Sequence, residues 1–132
     1  MLTHAISPLS DAVEEVIHKV IGCALTVHTA LGAGYVEPVY HKAMKIELRR
    51  QGLRFETEHA VQIHDRELVI YGHRIDLVVE KVVVVELKAI ERLDLIYRAQ
   101  LVSYLRAMRL RAGLLINFNT DHLRGSIRRV VF

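Results

Sequence analysis

Four consecutive valines at positions 82–85, followed by Glu86, Leu87 and Lys88, constrain this chain more than any other segment. A strand with one face in solvent alternates apolar and polar residues, whereas a strand covered on both faces is apolar throughout. The valine run therefore predicts a strand inside a sheet that carries helices on both sides. Glu86 and Lys88 stand at the end of this strand, in apolar surroundings where charged groups are costly unless paired or bound to metal.

The rest of the pattern predicts those helices and further strands. Apolar residues at three- and four-residue spacing predict a first helix, which begins at Asp11 with Glu14 as a capping pair and stops at Gly32. A second helix starts near Pro38 and is closed by Gly52. A third helix is predicted over 93–110, ended by Gly113, and strands over 57–63, 68–79, 82–89, 114–118 and 123–131. This order predicts an α/β domain, with a mixed sheet flanked by helices.

Length and composition limit the class of protein. With 132 residues, 52% of them hydrophobic, we expect a single domain over 1–132. The one cysteine, Cys23, excludes an internal disulfide framework and fits a small buried apolar position. The start of the chain lacks a signal-peptide pattern, and no apolar run is long enough to cross a bilayer. We therefore expect a soluble cytoplasmic protein with no membrane association.

The charge is unevenly distributed along the chain. The formal net charge is +3, but residues 95–132 hold seven arginines and one aspartate, so that segment carries +6 and the rest −3. A basic end suits a polyanionic partner such as nucleic acid. The alternative is a solvated helix face and an exposed strand.

Asp76, Glu86 and Lys88 form the most informative constellation. A hairpin centred on Lys81 places Asp76 directly opposite Glu86, whereas a two-residue loop would shift that pairing by one position. Since side chains alternate along a strand, Glu86 and Lys88 share one face. Two carboxylates with a backbone carbonyl suit Mg²⁺, and a nearby lysine can activate water and offset charge on a phosphate. The alternative is a cross-strand salt bridge between Lys88 and one of the acids.

Other polar residues lie on helices that face this patch. Glu37 precedes Tyr40 by three residues on the inward stripe of the second helix, although it could simply stabilise the helix N-terminus. Gln100 and Tyr104, four residues apart on the third helix, could hold a phosphate oxygen or a base edge. The alternative for them is an ordinary polar pair at the edge of the core. Eight histidines show no H-x3-H spacing and no cysteine partner, which argues against zinc.

The ordered set of motifs resembles the GxxExxY group of small bacterial and archaeal proteins, within the PD-(D/E)XK nuclease superfamily near its RecB-like branch. The pattern begins with Gly34, Glu37 and Tyr40 and continues through blocks at 72–76, 85–88, 100–104 and 113–118. The resemblance implies a restriction-endonuclease-like αβββαβ core. It implies Asp76 and Glu86 as metal ligands, Lys88 as the catalytic lysine and Glu37 as an upstream acid. It also implies Gln100 and Tyr104 as supporting residues, with Tyr40 a further candidate substrate contact.

These observations predict a metal-dependent nuclease that hydrolyses phosphodiester bonds, with DNA favoured over RNA. Mg²⁺ or Mn²⁺ would be held by Asp76, Glu86 and the Leu87 carbonyl, while Lys88 helps to activate the attacking water. The alternative is a catalytically silent nuclease-like domain that binds nucleic acid or a protein partner, for which the arginines would serve equally well. A second copy of the chain, as a homodimer, could help a domain of this size to grip a duplex.

Overall fold

A computed structural model describes residues 8–65 and 68–132 of the chain. Three helices are present, α1 (Asp11–Leu31), α2 (Glu37–Arg50) and α3 (Leu95–Met108), with a short 3₁₀ turn at Leu123–Ser126. The strands are β1 (Phe55–Asp65), β2 (Leu68–Val79), β3 (Val83–Lys88), β4 (Ala112–Asn117) and β5 (Ile127–Val131). None of the helices in these described ranges is both long and apolar enough to cross a lipid bilayer.

The five strands form one mixed sheet in the order β1-β2-β3-β4-β5. β3 pairs antiparallel with β2 and parallel with β4, and α3 makes the long connection that a parallel pair requires. The predicted α/β class with a mixed, helix-flanked sheet is confirmed. β3 is the middle strand, so the polar residues at its end lie at the centre of the sheet's width.

Two apolar cores enclose β3. Val83 and Val85 pack with residues of α1 and α2, whereas Val84 packs against residues of α3. The three valines are fully buried, which confirms that the valine run is covered on both faces. Cys23 of α1 lies in the first core, and burial, followed by the nearby Glu47, raises the pKa of its thiol to about 11. That thiol is therefore a buried apolar group and no nucleophile.

The β2–β3 register follows the first of the two expected pairings. Leu77 lies opposite Val85 and Val79 opposite Val83, so the hairpin is centred on Lys81. This centre places Asp76 level with Glu86, one step beyond the last pair of the ladder. The turn itself uses left-handed backbone at Glu80 and Lys81, with φ of 51° and 61°.

Two element boundaries differ from their predictions. Helix α1 is capped by Ser10, whose hydroxyl oxygen accepts a hydrogen bond from the Val13 N–H, so Asp11 is the first helical residue and not the cap. Helix α3 ends at Met108, followed by Arg109 in left-handed backbone, and Gly113 lies inside β4. The glycine is needed there for packing, because a Cβ atom at position 113 would approach Leu101 Cδ1 to 2.9 Å.

The close approach of α3 to β4 gives a stability test. We expect Gly113→Ala to lower the free energy of unfolding by about 1–3 kcal/mol, because the added methyl group must displace the buried Leu101 side chain. Urea denaturation measures the change. Gly125→Ala is the matched control, since a Cβ atom at position 125 meets no other atom within 4 Å. Equal stabilities for the two variants would contradict this account of the helix–sheet contact.

Candidate metal centre

Asp76 lies where the sheet loses its regular pairing on both sides. The β1–β2 register pairs Thr57 with Leu77 and His59 with Ile75, but the intervening Glu58 and Asp76 do not pair. Glu58 has left-handed backbone with φ of 52°, which is unusual for a residue with a side chain. On the other side, the last pair of the β2–β3 ladder is Leu77 with Val85, so the ladder stops one residue short of Asp76. The backbone of Asp76 therefore forms no ladder pair with β1 or with β3.

The alternation of side chains also slips at Asp76. Ile75 and Leu77 are two residues apart and should face the same side of the sheet. Instead, Ile75 packs in the core beneath α3, whereas Leu77 packs in the core beneath α1 and α2. Asp76 consequently lies at the boundary between the two faces, and its carboxylate can approach residues on either side.

Two hydrogen bonds join Asp76 to β3 in place of the ladder. The Asp76 N–H donates to Glu86 Oε1 over 3.0 Å, and the Leu87 N–H donates to Asp76 Oδ2 over 2.8 Å. Each acid thus satisfies a backbone donor of the opposite strand. The structure brings Asp76, Glu86 and Leu87 together, as expected from the hairpin centre.

Helix α2 brings two further ligand-type groups to Asp76. His41 Nε2 lies 3.4 Å from Glu37 Oε1 and 3.7 Å from Asp76 Oδ2. One donor atom from each of these three residues lies within 4.8 Å of the others, and no second such cluster occurs in the described parts of the chain. Sequence reasoning found Glu37 but missed His41. The available signal was the four-residue spacing between them, which places both on one face of a helix.

Burial and mutual repulsion perturb the two strand acids. Glu86 is only 6% exposed, and burial, followed by the charge of Asp76, raises its pKa from 4.5 to about 8. Burial also raises the pKa of Asp76, despite the Leu87 N–H and His41, which favour its ionised form. Ionising both acids would place an excess of negative charge in an apolar setting, which is why the metal-free site favours a protonated Glu86. A divalent cation would relieve that excess, and oxygen donors with one imidazole fit such an ion.

Lys88 lies near the acids without forming an ion pair. Its Nζ atom is 4.9 Å from the centroid of the Tyr97 ring, at cation–π distance. Within the residues that the structure describes, no carboxylate lies within ion-pair distance of Lys88, so the predicted salt-bridge alternative does not form. The ammonium charge still opposes the rise in the pKa of both Asp76 and Glu86. Lys88 is therefore close enough to act on charge at this site and remains available to a ligand.

The predicted α3 residues approach the acids from the other face. Tyr104 is buried, and burial, followed by the charges of Glu86 and Asp76, raises the pKa of its hydroxyl. Gln100 is half-buried, one helical turn earlier. Tyr104 thus lies near Glu86, and Gln100 precedes it by four residues on the same face of α3.

Tyr40 occupies a different environment from the other predicted contacts. It is fully buried, its ring stacks on Phe118 with centroids 4.6 Å apart, and its hydroxyl donates to the Gly32 carbonyl over 2.6 Å. The same hydroxyl accepts a hydrogen bond from the Tyr35 N–H. The polar atom of Tyr40 is therefore engaged within the fold, where it anchors the start of α2.

Asn117 is a buried polar residue to which sequence reasoning gave no role. Its side chain accepts a hydrogen bond from the Ile90 N–H over 3.0 Å and donates to the Ile90 carbonyl over 2.9 Å. Asn117 also pairs with Lys88 in the β3–β4 ladder. It therefore fixes the path of the chain immediately after Lys88. The sequence signal was an amide at the end of a buried apolar strand.

The arginine-rich end is largely engaged in structural contacts. Arg129 forms an ion pair with Glu14, and Arg111 donates to the carbonyls of Pro8 and Phe132. Arg111 precedes β4, whose other end pairs with Lys88 and lies about 20 Å from Arg111 at 3.3 Å per residue. These two arginines are therefore bound to groups of the protein itself, and Arg111 lies at the opposite end of β4 from the acidic site.

The acid pair predicts an unusual dependence of stability on pH. Because the native Glu86 carboxyl holds its proton more tightly than the unfolded chain, the free energy of unfolding of the metal-free protein falls as pH rises from about 4.5 to about 8. We expect Glu86→Gln to reduce that fall, so that near pH 8 the metal-free variant is more stable than the metal-free wild type. Urea denaturation in a chelator, at both ends of this range, measures it.

The control for this prediction is Glu15→Gln, which removes one acid from the solvent-facing side of α1. If the Glu86 variant is no more stable than wild type near pH 8, then burial does not destabilise the ionised acid as described.

Comparison with known proteins gives one family. The family model of the PD-(D/E)XK nuclease superfamily matches residues 14–130, which is most of the chain. No curated protein and no solved structure gives a significant match. The GxxExxY group, the RecB-like branch and the homodimer stay predictions. The match covers both helices and strands that build the acidic site, and the chain belongs to the PD-(D/E)XK nuclease superfamily.

Proposed function

We propose that this protein is a metal-dependent nuclease that hydrolyses phosphodiester bonds, in DNA rather than RNA. The observation that carries the proposal is the cluster of Glu37, His41 and Asp76, directly beside the buried Glu86. Asp76 and Glu86 each accept one backbone hydrogen bond, a role that a neutral acceptor could fill, whereas a hard cation requires the excess of carboxylates. The restriction-endonuclease-like class of the core is what favours DNA.

The ligands proposed for Mg²⁺ or Mn²⁺ are Asp76, Glu86 and the carbonyl of Leu87. In an extended strand the N–H and C=O of one residue point to the same edge, and the Leu87 N–H points to Asp76. Its carbonyl oxygen is therefore directed toward the same gap between β2 and β3. Glu37 and His41, on α2, are near enough to Asp76 to complete or orient the set. When bound, such a cation supplies positive charge to a phosphate oxygen and lowers the pKa of bound water.

Lys88 is proposed as the catalytic lysine. Its ammonium group lies over the Tyr97 ring and makes no ion pair with a described carboxylate, so it can contact the phosphate or the attacking water. There the ammonium group stabilises the negative charge that develops on the phosphate, and it donates a hydrogen bond that orients the attacking water. On α3, Gln100 and Tyr104 offer an amide and a hydroxyl that can hold a phosphate oxygen or a base edge beside the acids.

Metal binding is the first test. We expect calorimetry to detect Mg²⁺ or Mn²⁺ binding by wild type, and to detect none by the Asp76→Asn, Glu86→Gln double variant, which also loses cleavage of DNA.

We expect His41→Ala to weaken binding by roughly 10- to 100-fold, whether His41 contacts the ion or orients Asp76. His18→Ala, on the exposed face of α1, is the matched control. A folded wild type that binds neither ion would contradict the proposal.

Lys88 provides a test that separates chemistry from metal binding. We expect Lys88→Ala to slow cleavage by roughly 10²- to 10⁴-fold while it retains metal affinity, because the lysine acts on the reacting groups and is not a ligand. Lys81→Ala, at the far end of the same hairpin, should cleave like wild type. Parallel assays on DNA and RNA show which polymer is cut. Unchanged cleavage by Lys88→Ala would exclude its catalytic role.

A further inference from the structure

Helix α2 carries a cationic extension of the acidic cluster. Glu37, His41 and Lys45 are spaced four residues apart and therefore lie along one face, in steps of about 6 Å. Lys42 and Lys45 line the same groove as Glu37, His41 and Asp76, a space of about 360 Å³ whose opposite wall includes Glu58. The groove thus begins at Glu37, His41 and Asp76, and it continues past the two lysines toward the C-terminal end of α2.

These two lysines are free to bind a ligand. In the described ranges no carboxylate lies within ion-pair distance of Lys42 or Lys45, whereas Lys19 and Arg50 both pair with a glutamate on their own helix. Lys42 is exposed and Lys45 is half-buried, so neither is required to fill the core. These lysines lie beside a cluster of acids but form no ion pair with them. Their charges can therefore bind an anion that is not part of the protein.

We propose that Lys42 and Lys45 bind backbone phosphates of the nucleic acid next to the phosphate held at the metal centre, so that the strand runs along α2. This inference rests on the proposed function and specifies where its substrate lies. One helical step of about 6 Å spans between one and two nucleotides, at 3.4 Å per nucleotide along a duplex strand. With the scissile phosphate at Asp76, Lys45 is therefore at the right distance to bind the first or the second phosphate beyond it.

The charges on the two walls set the side of the groove that the strand follows. Glu58 lies opposite the lysines and repels phosphate, while Lys42 and Lys45 attract it. The backbone is therefore held on the α2 side. Contacts of this kind fix the register of the strand on the enzyme and carry no base information, so sequence preference along α2 is expected to be weak.

Salt dependence of binding tests the proposal. The Lys88→Ala background slows cleavage during the titration, and the probes are a fluorescently labelled DNA duplex and its single strand, each titrated at several salt concentrations. We expect Lys42→Ala with Lys45→Ala to weaken binding and to reduce the slope of log affinity against log salt by about 1.8 for the duplex or about 1.4 for the single strand. Lys19→Ala with Lys81→Ala removes the same charge away from the groove and is the matched control.

The outcomes separate the two levels of the argument. A slope that is unchanged in the groove variant, or reduced equally in the control, overturns the α2 path even if metal binding and cleavage are normal. A reduced slope in the groove variant alone supports the path, and metal calorimetry on that variant should be unaltered because the ligands are intact. Absence of metal binding in wild type, together with that slope change, would instead contradict hydrolysis and leave α2 as a binding surface for nucleic acid.

Discussion

Two hydrogen bonds from the backbone of β2 and β3 to the carboxylates of Asp76 and Glu86 close the gap where the central hairpin stops pairing. A buried N–H that loses its partner costs about 1–3 kcal/mol, so the acids satisfy donors that the separated strands would otherwise leave unpaired. The same bonds hold two repelling groups side by side. The proposed metal ligands are therefore held by the sheet itself, and their positions do not depend on a loop that must first become ordered.

This arrangement requires the sheet to be irregular at one residue. In a regular strand Asp76 would face only the α3 side, as Val78 and Val84 do. The slip at Asp76, opposite the left-handed Glu58, lets its carboxylate reach His41 on α2 while it accepts a bond from β3. Backbone in that conformation costs about 1 kcal/mol or more, and burial of the acids adds to it. The apolar cores on both faces offset these costs.

The part of the site that was predictable from sequence follows from local rules. Side-chain alternation and the position of the hairpin centre are properties of neighbouring residues, and they reduced the possibilities to two registers, one of which places Asp76 opposite Glu86 with Lys88 nearby. The contribution of His41 was not predictable in this way, because it depends on how α2 packs across the end of β2. At Gly113 a local rule instead gave a wrong prediction, because this glycine was expected to end the third helix. The rule that glycine ends helices is correct on average, but here tight packing of Leu101 required glycine within a strand.

The distribution of charge along the sequence was a better guide to the kind of partner than to the location of the site. The arginines near the C-terminus are concentrated along the chain, yet Arg111 and Arg129 are bound to the chain's own carbonyls and to Glu14 at a distance from the acids. The reason is that β4 reaches Lys88 only at its C-terminal end. Residues that precede β4 therefore lie at the opposite end of the strands from Lys88.

Parallel strands end together, and the segments that follow them diverge, which opens a crevice at that edge. β3 and β4 end at Lys88 and Asn117, and Asn117 holds the departing segment at Ile90. Any polyanion that reaches the acids must therefore approach this edge. Among the cations of the adjoining elements, Lys88 stands at the end of β3 itself, and Lys42 and Lys45 of α2 line the groove that contains Asp76. Topology, more than the number of basic residues, decides which charges can take part in binding.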